Sequence, residues 1–153
     1  MLSHTHAIGG AALTYTLHKL GYIHPSMADY IVTSAAALLP DLDHSSSVLG
    51  RRFKLFTFLK HRGLTHSLLG IALLYFILNG IQTYVYQPIE PYINYILLGC
   101  ISHVLLDMLT PSGVSLFYPF KKRIKIPLIK TGSWLETAFA LCMVALMGYT
   151  YIR

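Results

Sequence analysis

His103 and Asp107 stand four residues apart in an otherwise apolar run, so on a helix they share one face. An imidazole and a carboxylate at that spacing suit two ligands of one metal ion, or one ligand and the group that orients it. Asp41 and Asp43 follow Pro40, where a helix must end and a broken backbone can turn both carboxylates inward. His61 and His66 flank Gly63, so a loop and a helix start can each supply an imidazole. His6 stands at the start of the first apolar segment. Neutral imidazole and carboxylate suit zinc best, with manganese or iron next, and suit calcium or copper(I) poorly. These candidates exceed one tetrahedral zinc site. Either two divalent ions bind, or some of the residues serve as base or substrate contacts.

Each group also has a plainer reading. His103 and Asp107 could be a hydrogen-bonded pair joining helices. Asp41 and Asp43 could be a solvated helix end, His66 a first-turn residue, and His61 and His6 loop or interfacial histidines. His4 and His44 read as bystanders. Ser133 and Glu136 have the spacing of a capping box, which accounts for Glu136 without any chemistry. Arg62 suits a bidentate grip on a phosphate or carboxylate, but equally an ordinary basic residue near a membrane.

The elements that must position these residues are five apolar segments, near 7–23, 28–39, 64–86, 92–109 and 134–152. A helix needs about 20 residues to cross the hydrocarbon core. The last three segments meet or approach that length. His18 and Lys19 interrupt the first and the second is short, so the first pair reads as a short hairpin. Ser26 and Asp29 form a capping box that opens the second helix, and Pro40 and Pro111 close the second and fourth. The chain is 54% hydrophobic and 12% charged, half the charge of an ordinary soluble domain at about 25%. The expected fold is an all-α integral membrane protein in one domain over 1–153. It is a compact bundle of about five helices, three long spans plus a shorter N-terminal helical hairpin, with two basic cytoplasmic loops.

The net charge of +6 is not spread as nucleic-acid binding would need. Ten of the twelve basic residues fall in two segments, Arg51, Arg52, Lys54, Lys60 and Arg62, then Lys121, Lys122, Arg123, Lys125 and Lys130. Basic clusters between apolar spans follow the positive-inside rule, so no nucleic-acid partner is expected. Five antiparallel segments put both clusters on the cytoplasmic side together with the N-terminus. Tyr22, Tyr84, Tyr86, Tyr92, Tyr149 and Tyr151 then fall near the outer ends. Cys100 and Cys142 lie in apolar segments without CxxC spacing and read as free thiols, and no secretory signal is read before Lys19. On this topology six of the eight histidines and four of the six acids gather at the cytoplasmic end, drawn from all five segments.

Thr5-His6, Leu39-Pro40-Asp41-Leu42-Asp43, His61-Arg62-Gly63-Leu64-Thr65-His66-Ser67 and Ser102-His103-Val104-Leu105-Leu106-Asp107 resemble the YdjM-like family of membrane-bound metal-dependent hydrolases. Thr110, Gly113 and Pro119-Phe120 are similar to that family's pattern too, and the likeness runs through nearly the whole chain in order. The resemblance implies metal ligation by His6, Asp41, Asp43, His61, His66, His103 and Asp107. It also implies a hydrolytic site facing the cytoplasm in a bacterial or archaeal inner membrane.

The mechanism expected from this reading is metal-assisted hydrolysis of an ester or phosphoester, with Asp43 or Glu136 as general base and Arg62 on the developing charge. A site near the interface favours a lipid or lipid-linked phosphate as substrate. The segment 112–130 mixes Phe117, Tyr118 and Phe120 with five basic residues and suits anionic lipid heads, or is an ordinary basic loop. Two rivals remain. A metal-ion transporter would carry polar residues across the whole bilayer, which the apolar outer halves of the last three segments lack. A non-catalytic metal site would be closed by four ligands, fewer than these candidates.

Overall fold

A computed structural model describes residues 1–44, 47, 51–52 and 61–152. Lys54 and Lys60 of the first basic cluster, and Arg153, lie outside the described residues. The described chain is helical: α1 Ser3–Lys19, α2 Met27–Ala36, α3 Leu68–Tyr84, α4 Ile93–Met108 and α5 Trp134–Ile152. No strand occurs among the described residues, although Val114 and Ile124 form an isolated β-bridge.

The helix ends explain how the chemical residues are aimed. Ser26 and Asp29 make the reciprocal capping box that the sequence predicts at α2. The chain leaves α2 through a 3₁₀ turn, Pro40–Asp43, with proline at its first position. A second 3₁₀ turn, Leu64–His66, precedes α3, and Ser67 caps that helix by accepting from the Gly70 amide. The expected start of the third segment is thus four residues early, because His66 is held in a tight turn rather than on the helix. A third turn, Gln87–Tyr92, carries Pro88 and Pro91 into α4.

α1 differs most from expectation. Apolar content places its start near residue 7, yet the helix begins at Ser3 and takes Thr5 and His6 into its first turns, both fully buried. Polar residues extend the helix here because a polar cluster lies beneath them.

α1, α2 and α4 pack on one another, α5 packs on α1, and α3 packs on α4. Small residues allow the close approach. A Cβ at Gly99 of α4 would meet Thr33 O of α2 at 2.5 Å and the Ala36 Cβ at 2.8 Å. Two stretches, Gln87–Met108 with 22 residues and Trp134–Ile152 with 19, are long and apolar enough to cross a membrane; α3, with 17 residues, is shorter. α5 turns Leu141, Val144, Leu146 and Tyr149 outward, and the free thiol of Cys142 is exposed beside them. Tyr22, Tyr84, Tyr86, Tyr149 and Tyr151 are exposed at the end of the bundle remote from His6.

Gly99→Leu forces the α2–α4 contact apart and lowers stability by about 1–3 kcal/mol, read as thermal unfolding in detergent. Gly80→Leu, where an added Cβ meets nothing within 4 Å, leaves the midpoint unchanged.

Candidate metal centre

All seven expected ligands lie at one end of the bundle. The first turns of α1 bring His6, and the 3₁₀ turn after α2 brings Asp41 and Asp43. The segment 61–66 brings His61 and His66, and the last turns of α4 bring His103 and Asp107. His6, His66, His103 and Asp107 are buried, as is Asp43.

At the middle, His66 Nε2 and His103 Nε2 are 3.1 Å apart. Asp41 Oδ1 lies 3.7 Å from the first and 3.6 Å from the second, and Asp107 Oδ2 lies 3.8 Å and 3.9 Å from them. Ligand atoms around a tetrahedral ion with bonds of about 2.0–2.1 Å stand roughly 3.3–3.4 Å apart. Each carboxylate oxygen therefore stands with the two Nε2 atoms at separations that suit a shared ion, and His66, His103 and Asp107 form one such group.

Tautomers follow from the outer partners. Ala37 O lies 2.6 Å from His103 Nδ1, so that nitrogen donates and Nε2 presents a lone pair. His66 Nδ1 faces Asp43 Oδ2 at 3.5 Å and Thr65 Oγ1 at 2.9 Å. Thr65 Oγ1 donates its proton to Asp43, so it accepts from His66 Nδ1, and Nε2 again points its lone pair inward. Two lone pairs at 3.1 Å repel unless a proton or a cation lies between them, and two carboxylates flank the place. His6 stacks on His103 with ring centroids 3.6 Å apart; both its nitrogens are buried without a hydrogen bond, and Nε2 lies 3.4 Å from Asp107 Oδ1. An orphaned imidazole, inward lone pairs and a carboxylate–imidazole donor set fit a divalent cation.

Asp43 stands behind this group. Its Oδ1 accepts from His61 Nδ1 at 2.8 Å, and its Oδ2 accepts from Thr65 Oγ1. Asp41, Asp43, His61 and His66 also offer ligand atoms within 4.8 Å of one another. His44 packs edge-on against His61. His4 is exposed, and so are His18 and His24 at the far end of the bundle.

Burial opposes charge on Asp41 and Asp43, but hydrogen bonds outweigh it. His66 leads those on Asp41 and lowers its carboxyl to about 2; His61 leads those on Asp43 and lowers it further. Burial would lower His66, yet its bonds to Asp41 and Asp43 raise it above the ordinary imidazole value.

Arg62 adopts a left-handed φ of 62°, uncommon without glycine and strained by roughly 1 kcal/mol or more. Its guanidinium repays the strain by reaching Asp107 Oδ2 at 3.0 Å and Thr110 Oγ1 at 3.1 Å. It lines a cavity of about 270 Å³ with Asp41 and His61, which reaches the edge of the cluster at Asp41.

Glu136 belongs to none of the candidate ion groups among the described residues. Its expected capping box is only half formed: Ser133 Oγ receives the Glu136 amide, but the carboxylate turns elsewhere. Its oxygens accept the Leu2 amide at 2.5 Å and the Gly132 amide at 2.6 Å. Each oxygen is thus engaged by one backbone amide. The glutamate instead ties the start of α1 to the start of α5. That tie helps bring the Met1 ammonium within 2.5 Å of Asp107 Oδ1, a contact no residue pattern signals. Sequence reasoning also missed the Ala37 carbonyl and the Thr65 hydroxyl, both of which fix a histidine; Thr65 stood between two histidines and so carried a weak signal.

A family model described as "YdjM inner membrane protein" matches residues 1–152. The chain is 34% identical over 143 residues to "Uncharacterized protein YvsG" of Bacillus subtilis (strain 168), covering 89% of this chain and 85% of that one. It is 39% identical over 117 residues to "Inner membrane protein YdjM" of Escherichia coli (strain K12), covering 70% of this chain and 59% of that protein. A Shigella flexneri protein of the same name matches to the same extent. No solved structure matches the chain.

Glu136→Leu removes the acceptors of both backbone amides and lowers stability by about 2–4 kcal/mol. Hydrogen–deuterium exchange across residues 1–6 rises in this variant; unchanged protection there would refute the tether.

Proposed function

This chain belongs to the YdjM inner membrane protein family, and we propose that it is a metal-dependent hydrolase acting on an ester or phosphoester at the cytoplasmic face of that membrane. The observation that carries the reading is the facing pair His66 Nε2 and His103 Nε2 at 3.1 Å, with Asp41 Oδ1 and Asp107 Oδ2 each within 3.9 Å of both and the imidazole lone pairs turned inward. These four hold a divalent ion, zinc before manganese or iron, and His6 stands beside them. A bound divalent ion supplies Lewis acidity and a water acidified toward neutrality. The rest of the work falls to the chain. Asp43 fixes the tautomer and aim of His66 and His61, which makes it a positioning residue rather than a base. His61, at the cavity wall with Nδ1 committed to Asp43, exchanges a proton through its other nitrogen. Arg62 holds Asp107 in place and brings positive charge to the cavity where negative charge develops. A third span through α3 and the cytoplasmic placement of the site follow from the basic clusters. The site lies where the helices enter the membrane, which suits an amphiphilic substrate such as a phospholipid or a lipid-linked phosphate.

Purified protein is expected to carry about one divalent ion per chain by elemental analysis, and His103→Ala and Asp41→Ala each lose most of it. Unchanged content in both variants would sink the ligand assignment. Asp43→Asn keeps the ion but weakens its binding roughly 10–100-fold. A screen of phosphoesters and lipid esters should show turnover lost with chelator and restored with metal; a bound ion with no turnover on any ester leaves a metal-binding membrane protein and removes the hydrolase.

Protons compete with the ion for His66. Its raised pKa means that competition starts above the ordinary imidazole value of about 6.5 and deepens as pH falls. Metal retention in equilibrium dialysis should therefore be full near pH 8 and drop steeply through about pH 6–7.

A further inference from the structure

Between α4 and α5 the chain makes a hairpin whose tip the bundle leaves uncovered. Val114 and Ile124 exchange backbone hydrogen bonds at 3.0 Å and 2.9 Å, and Val114 is fully buried. Gly113 turns the chain at φ 59°, where an added Cβ would meet Ile124 O at 2.5 Å. The base is fastened to the ends of the helices. The amide of Leu68, the first residue of α3, donates to Leu116 O at 3.0 Å, and Ser115 donates to Arg62 O at 3.3 Å. Ile126 donates to Met108 O at the end of α4 at 2.7 Å, and α5 begins four residues after Lys130. The hairpin therefore stands level with the points where three helices reach the membrane interface.

Its tip combines two chemistries. Phe117 is 55% exposed and Phe120 73%, and Lys121, Lys122 and Arg123 follow directly, all exposed. No acidic residue occurs between Asp107 and Glu136. Aromatic rings beside lysine and arginine belong at the headgroup layer, where the ring finds the acyl boundary and the cation finds phosphate. An acidic protein or a nucleic acid would match the charge but would leave Phe117 and Phe120 unexplained at this height.

We propose that this tip is a docking surface for anionic phospholipid of the leaflet next to the site. Phe117 and Phe120 enter the headgroup–acyl boundary, and Lys121, Lys122 and Arg123 hold lipid phosphates. Because Ser115 is bonded to Arg62, the contact sets the height of the Arg62–Asp107 pair against the headgroups. The proposal uses no metal and stands whether or not the chain is a hydrolase.

The chain has one tryptophan, Trp134. Trp134→Phe combined with Phe120→Trp places the sole indole at the tip. This protein is reconstituted in vesicles that carry the same fraction of brominated lipid, either phosphatidylglycerol or phosphatidylcholine. Emission should be blue-shifted, and brominated phosphatidylglycerol should quench it at least about twofold more strongly. Adding Lys121→Gln, Lys122→Gln and Arg123→Gln, or roughly 0.5 M salt, should abolish the difference. Equal quenching by the two lipids, or unquenched red-shifted emission from an indole in water, overturns the proposal. Unaltered protein extracted from a mixed membrane gives an independent reading. It should retain phosphatidylglycerol at about twice the bulk fraction, and retention at the bulk fraction also overturns it.

Discussion

His66 and His103 face each other through Nε2 at 3.1 Å, both fully buried, with Asp41 and Asp107 each close to the pair. In a medium of low effective dielectric such a group is costly unless positive charge neutralises the carboxylates and separates the lone pairs. The surrounding structure meets that demand with cations. Arg62 reaches Asp107 from one direction and the Met1 ammonium from another. Arg62 accepts a left-handed backbone to do so, and α1 runs through polar residues to deliver His6. These local departures from ordinary preference share one cause, the buried carboxylates at the end of the bundle.

The packing of the helices serves the same end. Gly99 and Gly10 let α2 approach α4 and α1 at backbone distance, which places the Ala37 carbonyl against His103 Nδ1. That carbonyl is free because α2 stops at Ala36, ahead of the 3₁₀ turn. One helix end thus supplies both the acceptor that orients His103 and the turn that presents Asp41 and Asp43. Glu136 does comparable work for the first and last helices, since its carboxylate closes the gap between their starts. A glutamate that resembles a catalytic base in the sequence is spent on backbone amides.

The buried histidine–aspartate cluster and the exposed basic hairpin lie at the same end of the molecule. The cavity shared by Asp41, His61 and Arg62 reaches the edge of the cluster at Asp41, and the basic hairpin is bonded to Arg62 through Ser115. The opposite end carries exposed tyrosines and no comparable cluster among the described residues. The molecule is therefore polar along its long axis, with buried charge and exposed cations at one pole.

Much of this was legible in the residues. Five apolar segments gave five helices, and the capping box at Ser26 and Asp29 formed as its spacing requires, because helix periodicity and end chemistry are local. The gathering of His6, Asp41, Asp43, His61, His66, His103 and Asp107 at one end was also legible, since antiparallel order alone decides which ends coincide. Which atoms meet was not. The bonds of Asp43 to His61 and Thr65, the bonds of Glu136 to backbone amides, the approach of Met1 and the inward lone pair of His103 all depend on distances across residues as much as 134 positions apart. Such distances come from how closely helices pack, and a one-dimensional pattern carries no record of that closeness.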